Sequence, residues 1–283
     1  MSLSQIGTIL LPTDFSDGAA VAFAHGLKIA LQAKAKLDMF HVEPNNDQTD
    51  WHWAPSVITT LRRWGSLGAS AGEAEVESLG IHARRSSVGG QKADDAILAE
   101  MATTHPDLVV MATHGRSGVT RWTQPSVSAG VTTRGAVPVL LMPASGRGFI
   151  DAPTGELTLH RVLIAIAPAP DPRHAIEAAR ALVALLGAED VQYGTVHVGG
   201  PMPAVRGYFP EDGPPVEHLS LPAGDIVEGV LGAATGWNAD LLVMATEGRH
   251  GLLDAVLGST VEQMIQRTTL PILAVPARRA AAA

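Results

Sequence analysis

The sequence contains no cysteine and few aromatic residues. Among its 283 residues, aromatic side chains make up 4% and hydrophobic residues 46%. The absence of Cys excludes disulfides, thiolate metal sites and cysteine nucleophiles, and it fits a reducing cytoplasm. Because aromatic residues are scarce, any core must be built mainly from Ala, Val, Leu and Ile.

The chain also lacks long apolar runs and an excess of basic charge. No run approaches the ~20 apolar residues that cross a bilayer. The first residues, MSLSQIGTILLPTDFS, do not show a basic stretch followed by a long apolar stretch, as a signal peptide would. The formal net charge of −8 disfavours a nucleic-acid binder. We therefore expect a soluble, cytoplasmic protein that binds neither membranes nor nucleic acids.

The sequence does contain an internal repeat. DLVVMATHGRSG at 107–118 and DLLVMATEGRHG at 240–251 share nine of twelve residues, and PVLLMPA at 138–144 matches PILAVPA at 271–277 with the same offset of 133. One unit is therefore used twice. The length suits two domains at ~100–200 residues each, and we predict domains over 1–146 and 155–278, linked near 144–157.

Each unit alternates strand-like and helix-like segments. TILLPT, LDMFHV and DLVVMAT are short runs rich in β-branched residues and Leu, whereas AAVAFAHGLKIALQAKA is Ala-rich with helical spacing. Strands that are apolar on both faces indicate a parallel sheet covered by helices. The predicted fold class is α/β, with two repeated doubly wound domains of five strands each.

The second unit is shorter than the first. The repeat offset falls from 156 at the second strand to 133 at DLLVMA, so the second unit has lost 23 residues in between. The first unit has TTLRRWGSLGASAGEAEVESLG there, which suits one or two helices. The second has GGPMPAVRGYFPEDGPPVEH, whose Pro and Gly content blocks a regular helix. We predict an irregular segment over 199–216, a missing helix and a partly uncovered sheet.

Candidate ligand-binding residues follow the strands, because ligands of open α/β sheets bind beyond the carboxyl ends of the strands. Pro12, Thr13 and Asp14 follow the first strand, and Val42 follows the second. Gly115 and Gly118 follow the fourth, in a turn that feeds a helix. Glycines allow close approach of a phosphate, and helix N-termini favour anions. Taken alone, a Gly-x-x-Gly segment is more simply a tight turn, and it is not a Walker A loop.

In combination these segments resemble the universal stress protein family. The resemblance rests on LLPTDFS, FHV, VVMATHGRSG with PVLLMPA, and MATEGRHGLLDAVLGSTVEQMIQ with LPILAVP, and it covers nearly the whole chain, twice. It implies a five-stranded parallel sheet in each domain and a role in stress regulation. Nucleotide-binding members carry Gly, two residues, Gly, nine residues, Gly and Ser or Thr, which hold phosphates. An Asp after the first strand helps to hold the adenosine. The implied cofactor is ATP or a related adenine nucleotide, with Mg²⁺ as a companion.

Neither half of this chain carries the full family pattern. The first domain keeps Asp14 and the glycine pair, but Pro125-Ser126 stands where the second has Gly258-Ser259. The second domain has Ala167 in place of the Asp, and only six residues separate its glycine pair from Gly258. The resemblance therefore implies one degraded nucleotide site, and either domain could supply it. The nucleotide-binding candidates are Pro12, Thr13, Asp14, Val42, Gly115, Gly118, Ser126 and Val127 in the first domain, and Gly248, Gly251, Gly258, Ser259 and Thr260 in the second.

Each polar candidate also has a structural interpretation. Asp14, Ser126 and Ser259 could cap helices. His41 and His197 recur after matching strands and are expected to be structural rather than catalytic. His52, between two Trp residues, is expected to pack in a loop.

Three functions compete at the level of sequence. The first is a nucleotide-dependent regulator that changes its contacts with an unknown protein partner. The second is an interaction scaffold of the same family without a nucleotide. The third, a weak ATPase or nucleotidyl transferase, has least support, because no catalytic signature for phosphoryl transfer is present.

The family resemblance also predicts how the units assemble. We expect them to pack as a pseudo-twofold pair that mimics a homodimer of single-domain members. Their terminal strands PVLLMPA and PILAVPA should form the seam, since unpaired apolar edge strands are a liability. Association of two whole chains remains an open alternative.

Overall fold

The computed structural model describes residues 3, 5–43, 50–113, 126–143, 148–205, 207–210, 213–246 and 254–277, apart from the side chains of 254–259. This part of the chain forms ten strands and eight α-helices. The strands are β1 Thr8–Thr13, β2 Lys36–Glu43, β3 His82–Gly89, β4 Leu108–Ala112, β5 Val139–Met142, β6 Arg161–Ala165, β7 Gln192–Val198, β8 Val216–Leu221, β9 Leu241–Thr246 and β10 Ile272–Pro276. The helices are α1 Asp17–Ala33, α2 Val57–Arg63, α3 Glu73–Ser78, α4 Ala93–Thr104, α5 Val127–Arg134, α6 Arg173–Leu186, α7 Ile226–Gly236 and α8 Asp254–Arg267.

All ten strands belong to one sheet, in the order β3-β2-β1-β4-β5-β10-β9-β6-β7-β8. Each half is a parallel five-stranded sheet, which confirms the predicted fold class. The halves meet where β10 pairs antiparallel with β5, with Leu273 opposite Leu140. The terminal strands of the two units therefore form the seam, as the sequence predicts.

The antiparallel seam reverses the direction of the second half. Strands β6 to β10 run opposite to β1 to β5, so the carboxyl ends of the two halves lie at opposite edges of the sheet. The two candidate ligand-binding edges are thereby separated, and no single small ligand can contact both.

Helices cover both faces of the sheet and pack across the seam. On one face α1 packs against α6, and on the other α5 packs against α8. The two apolar cores, one on each face, both contain residues from both halves, such as Leu140 and Leu273 in one and Leu141 and Ile272 in the other. The two halves therefore share their cores.

A repeated aspartate fixes the start of the central strand in each half. Asp107 Oδ2 accepts hydrogen bonds from the two N–H groups at the start of β1, at 2.8 and 3.1 Å. Asp240, its repeat equivalent, makes the same two bonds to the start of β6, both at 2.8 Å. These charge-assisted bonds tie β4 to β1 and β9 to β6 at their amino ends.

The second half lacks the helices that the first half has between its second and third strands. The first half contains α2 and α3 there, whereas the described residues between β7 and β8 form no helix. The irregular segment and the missing helix predicted at 199–216 are thus confirmed for the residues that the structure describes, whereas the partly uncovered sheet is not. The irregular segment covers part of the sheet itself, because Val205 is buried and Met202, Tyr208 and Phe209 pack against the core.

The link between the halves is anchored on the first half. Ile150 and Leu157 form an isolated antiparallel bridge, and Trp64 Nε1 donates to the Ala152 carbonyl at 3.0 Å. His25, which is fully buried in α1, receives a hydrogen bond from the Ile150 N–H on its Nε2 at 3.0 Å. Its Nδ1 lies 2.8 Å from the Val21 carbonyl, so the neutral ring donates there.

The burial of His25 predicts a loss of stability in acid. Burial lowers the pKa of His25 from 6.5 to about 4. The unfolded chain therefore binds a proton more readily than the native protein between these pH values. The free energy of unfolding should fall by about 3 kcal/mol as pH drops from 6.5 to 4. We expect His25→Gln to lose this part of the pH dependence in urea unfolding measured from pH 4 to 7.5, and equal pH slopes for the two proteins would contradict the prediction.

Because the two halves share their cores, a substitution that destabilises the seam should destabilise both halves. Leu273 is fully buried between β5 and β9, so Leu273→Ala should lower stability by about 2–5 kcal/mol. Hydrogen exchange should rise in β1 and β4 as well as in β6 and β9. The control Ile97→Ala, buried in α4, should act mainly on the first half. An increase confined to the second half for Leu273→Ala would refute a shared core.

Candidate functional site

The candidate site of the first half lies where the strand order changes direction. Strands β2 and β3 extend from β1 on one side, and β4 and β5 on the other, so the crevice opens beyond β1 and β4. This is the usual ligand position of doubly wound sheets. Thr13 and Asp14 lie at the end of β1, Val42 near the end of β2, and Thr113 directly after β4.

Hydrogen bonds fix the backbone at the end of β1. The Thr13 carbonyl lies 2.6 Å from His41 Nδ1, which donates to it from β2. Asp14 Oδ1 accepts from the Ser16 N–H at 3.1 Å, and Ser16 Oγ accepts from the Ala19 N–H at 3.1 Å. The cap of α1 is therefore Ser16. The structural interpretation of Asp14 as the helix cap is wrong, because Asp14 lies two residues before the cap and its carboxylate accepts from the N–H of the cap residue itself.

An aromatic cluster, which the sequence analysis did not identify, forms one wall of this edge. Phe15 adopts a φ of 60° and stacks on His41, with ring centroids 4.4 Å apart. Trp51 packs edge-on against Phe15 at 5.5 Å, and the Arg85 guanidinium lies 5.7 Å from the Trp51 ring. The WHW segment, which has no counterpart in the second half, thus places Trp51 at the site. His52 is exposed, and its backbone N–H bonds to Asp50.

The first turn of α5 approaches the same edge. Ser128 Oγ donates to the Thr113 carbonyl at 2.9 Å, which ties the start of α5 to the end of β4. Ser126 is the residue before the helix, but its side chain makes no capping bond and instead lies 2.7 Å from Ser128 Oγ. Ser126 thus occupies the N-cap position, as its structural interpretation predicts, but its side chain does not cap the helix. Val127 is 37% exposed.

The second half repeats the histidine but not the polar residues around it. His197 Nδ1 donates to the Ile166 carbonyl at 2.8 Å, as His41 does to the end of β1. Both histidines thus have the structural role that the sequence predicts. Ala167 stands at the position of Asp14. Asp171, four residues later, instead accepts a hydrogen bond from the Arg173 N–H at the start of α6.

The glycine–serine segment of the second half lies inside a helix. Gly258, Ser259 and Thr260 fall within α8, which begins at Asp254, whereas the equivalent of Thr260 in the first half is Val127, the first residue of α5. Residues five or more positions into a helix donate their N–H groups to helix carbonyls. The interpretation of Ser259 as a helix cap is therefore wrong, and this segment is not the start of a helix.

Several sequence candidates lie outside the described residues. These are Gly115, Gly118, Pro125, Gly248 and Gly251. Among the residues that the structure does describe, no three His, Asp or Glu side chains gather as a metal site would require. In the same residues, no helix is both long enough and apolar enough to span a bilayer.

The paired histidines predict independent contributions to stability. His41→Ala and His197→Ala should each cost about 1–3 kcal/mol, because each leaves a strand-end carbonyl without its donor. The two sites lie at opposite edges of the sheet, so the double variant should equal the sum within about 0.5 kcal/mol. Urea unfolding of the four proteins measures this. A double variant that deviates from the sum by more than about 1 kcal/mol would show that the two ends are coupled.

Comparison with known proteins agrees with this architecture. No curated protein matches the sequence significantly. A universal stress protein from Archaeoglobus fulgidus is 20% identical, with a TM-score of 0.63 and 98% of both chains covered. A functionally unknown protein from Pseudomonas aeruginosa PAO1 is 15% identical, with a TM-score of 0.64, over 97% of this chain and 94% of the other. A universal stress protein solved in complex with cAMP is 22% identical and covers 50% of this chain and 99% of its own, with a TM-score of 0.34.

At these identities the structural likeness concerns the fold. The sequence pattern of the universal stress protein family matches residues 5–143 and 204–276, which together make up most of the chain. The unmatched stretch contains β6, α6 and β7, where the structure repeats β1, α1 and β2. The chain belongs to the universal stress protein family.

Proposed function

We propose that this protein is a stress-response regulator that binds one adenine nucleotide at the carboxyl edge of its first domain. The proposal keeps the predicted division into domains 1–146 and 155–278. Binding would act through changes in contacts with a protein partner rather than through catalysis.

The proposal rests on where the two equivalent helices, α5 and α8, begin relative to the repeated sequence. In the first domain α5 starts at Val127, and no side-chain cap from Ser126 occupies its first N–H groups. In the second domain the equivalent N–H groups lie inside α8. A phosphate is stabilised by helix N–H groups only where a helix begins. The first domain is therefore the better candidate for binding the phosphates of the nucleotide.

The adenosine side of the proposed site also favours the first domain. Asp14 follows β1, at the edge of the sheet where β4 ends and α5 begins. A carboxylate there can accept hydrogen bonds from ribose hydroxyls, and such charge-assisted bonds contribute about 1.5–3 kcal/mol. In the second domain the position is Ala167. We infer that Asp14, with Pro12, Thr13 and Val42 beside it, holds the nucleoside, and that Gly115, Gly118, Ser126 and Val127 hold the phosphates.

Magnesium would enter this site with the nucleotide. Mg²⁺ is usually bound through one or two carboxylates and the substrate phosphates, with waters completing its shell. We therefore propose that the companion ion is carried by the phosphates and that the protein adds few ligands of its own.

A second candidate function is an interaction scaffold, and one observation favours it for the second domain. That domain has neither the aspartate nor a helix start at the glycine–serine segment. In this division of roles the first domain senses the nucleotide and the second provides a surface for a partner.

The proposal predicts one binding site that depends on Asp14. Titration calorimetry with ATP, AMP and adenosine should give a stoichiometry of one per chain. Asp14→Asn keeps an oxygen for the Ser16 N–H but loses the charge, so affinity for all three ligands should fall tenfold to a hundredfold. The matched control Ser259→Ala should leave affinity unchanged.

Other outcomes of these titrations would reject parts of the proposal. Two equal sites would reject the single-site claim. Loss of binding in Ser259→Ala, with Asp14→Asn unchanged, would move the site to the second domain. Absence of binding for all three ligands would leave the scaffold as the better function.

A further inference from the structure

A cavity of about 780 Å³ opens at the amino ends of β7 and β8 in the second domain. Its volume lies within the range of about 300–1,000 Å³ that is typical of small-molecule sites. The last turn of α6, the starts of β7 and β8 and the residue after α7 line it. It lies at the opposite edge from the carboxyl ends of its own domain's strands, and β7 stands six positions from β1 in the sheet, so the cavity is distinct from the nucleotide site proposed above.

The cavity lies where the second domain has lost its helix. In the first domain the chain reaches β3 through α3 and the fully buried Ile81. This segment packs tightly on the end of α1, since a Cβ added to Gly80 would lie 2.7 Å from the Lys34 Cβ. The equivalent of Lys34 is Gly187, where an added Cβ would meet no atom within 4 Å. Pro214 and Pro215 lead into β8 instead, and the described residues leave this space open.

One wall of the cavity is a firmly held indole. Trp237 lies against Gly194, where an added Cβ would come within 3.0 Å of the ring. Its Nε1 donates to Glu217 Oε2 at 2.8 Å, and the Arg161 guanidinium packs 5.8 Å from the ring. Tyr193 contributes a second, partly buried ring, and burial raises the pKa of its phenol, which therefore remains neutral. Both aromatic walls are thus fixed in a neutral form.

The charged side chains that line the cavity are both carboxylates, whereas the Arg161 guanidinium beside Trp237 is not part of the lining and donates to the Trp237 carbonyl at 2.9 Å. The lining includes the carboxylates of Asp190 and Glu217 and, among described residues, no Lys or Arg. Asp190 is exposed and makes no hydrogen bond or ion pair in the described part of the chain, and Glu217 uses one oxygen for Trp237. Helix α6 ends at the cavity with no basic residue in its last turn, so the negative end of its dipole is not offset.

We propose that this cavity binds a small organic cation, a primary amine on an aromatic or branched apolar body. The ammonium group would lie between Asp190 and Glu217. The apolar body would pack against Tyr193, Val183 and Pro214, which present aromatic and aliphatic surface. Charge selects the class of ligand, since an amine gains a charge-assisted bond that a neutral analogue of the same shape does not.

The test compares a charged probe with a neutral one of the same shape. We would titrate the full chain with 2-phenylethylamine and with 2-phenylethanol at pH 7 and follow the indole N–H resonance of Trp237 by NMR. The amine should bind at least tenfold more tightly than the alcohol. Glu217→Gln keeps an acceptor for Trp237 and should reduce this preference, and the added change Asp190→Asn should abolish it, while binding of the alcohol stays unchanged. The matched control Glu189→Gln, which replaces a neighbouring exposed carboxylate outside the lining, should behave like wild type.

A blocking variant separates binding in the cavity from binding elsewhere. Ala188→Trp places a large side chain at the cavity wall and should abolish binding of both probes, with resonances of the first domain unchanged. Equal affinities for the two probes, failure of either probe to shift the Trp237 resonance, or an equal loss in Glu189→Gln would each overturn the proposal. Nucleotide binding plays no part in these measurements.

Discussion

The antiparallel pairing of β5 with β10 is the contact on which the arrangement of the whole molecule depends. It joins two parallel five-stranded sheets into one, so that neither terminal strand is left as an apolar edge. It also allows α1 to meet α6 on one face and α5 to meet α8 on the other. Because the pairing is antiparallel, it sends the carboxyl ends of the two domains to opposite edges. Two sites that began as copies could therefore diverge without contact between their ligands.

The two domains have in common a small set of hydrogen bonds at the ends of their central strands. Asp107 and Asp240 fix the starts of β1 and β6, and His41 and His197 fix their ends. Each bond gives a backbone N–H or carbonyl at a strand end a side-chain partner, and a bond to a charged carboxylate contributes more than one between neutral groups. The aspartate bonds join the amino ends of β1 and β6 to the neighbouring strands β4 and β9. The duplicated unit is thus a framework, and the differences between the domains lie in the segments that join the strands.

The sequence predicts the framework well because a repeat aligns every strand with a second copy of itself. It predicts the lost helix of the second domain for the same reason, since the change in offset locates the deletion. The sequence does not predict that Gly258, Ser259 and Thr260 lie inside α8. These residue types are common in turns and helix caps, but the surrounding stretch has helical spacing, and context overrides the preference of single residues. The sequence also fails at Phe15 and Trp51, because their contact joins a strand end to an insertion 36 residues away, which only the folded chain brings together.

The reversal of the second domain has a further consequence for regulation. The amino edge of the second domain is the same edge of the sheet as the carboxyl edge of the first. The cavity beside β7 and the proposed nucleotide site beside β1 therefore face the same side of the molecule, six strand positions apart. At about 4.8 Å per strand this is roughly 29 Å.

Two small ligands cannot touch across that distance, so any influence of one on the other must pass through the sheet and its shared cores. Such coupling requires an element with two arrangements that both ligands bias. The seam between β5 and β10 lies between the two sites, and a shift of one domain would reach the other through this seam and the helices packed across it.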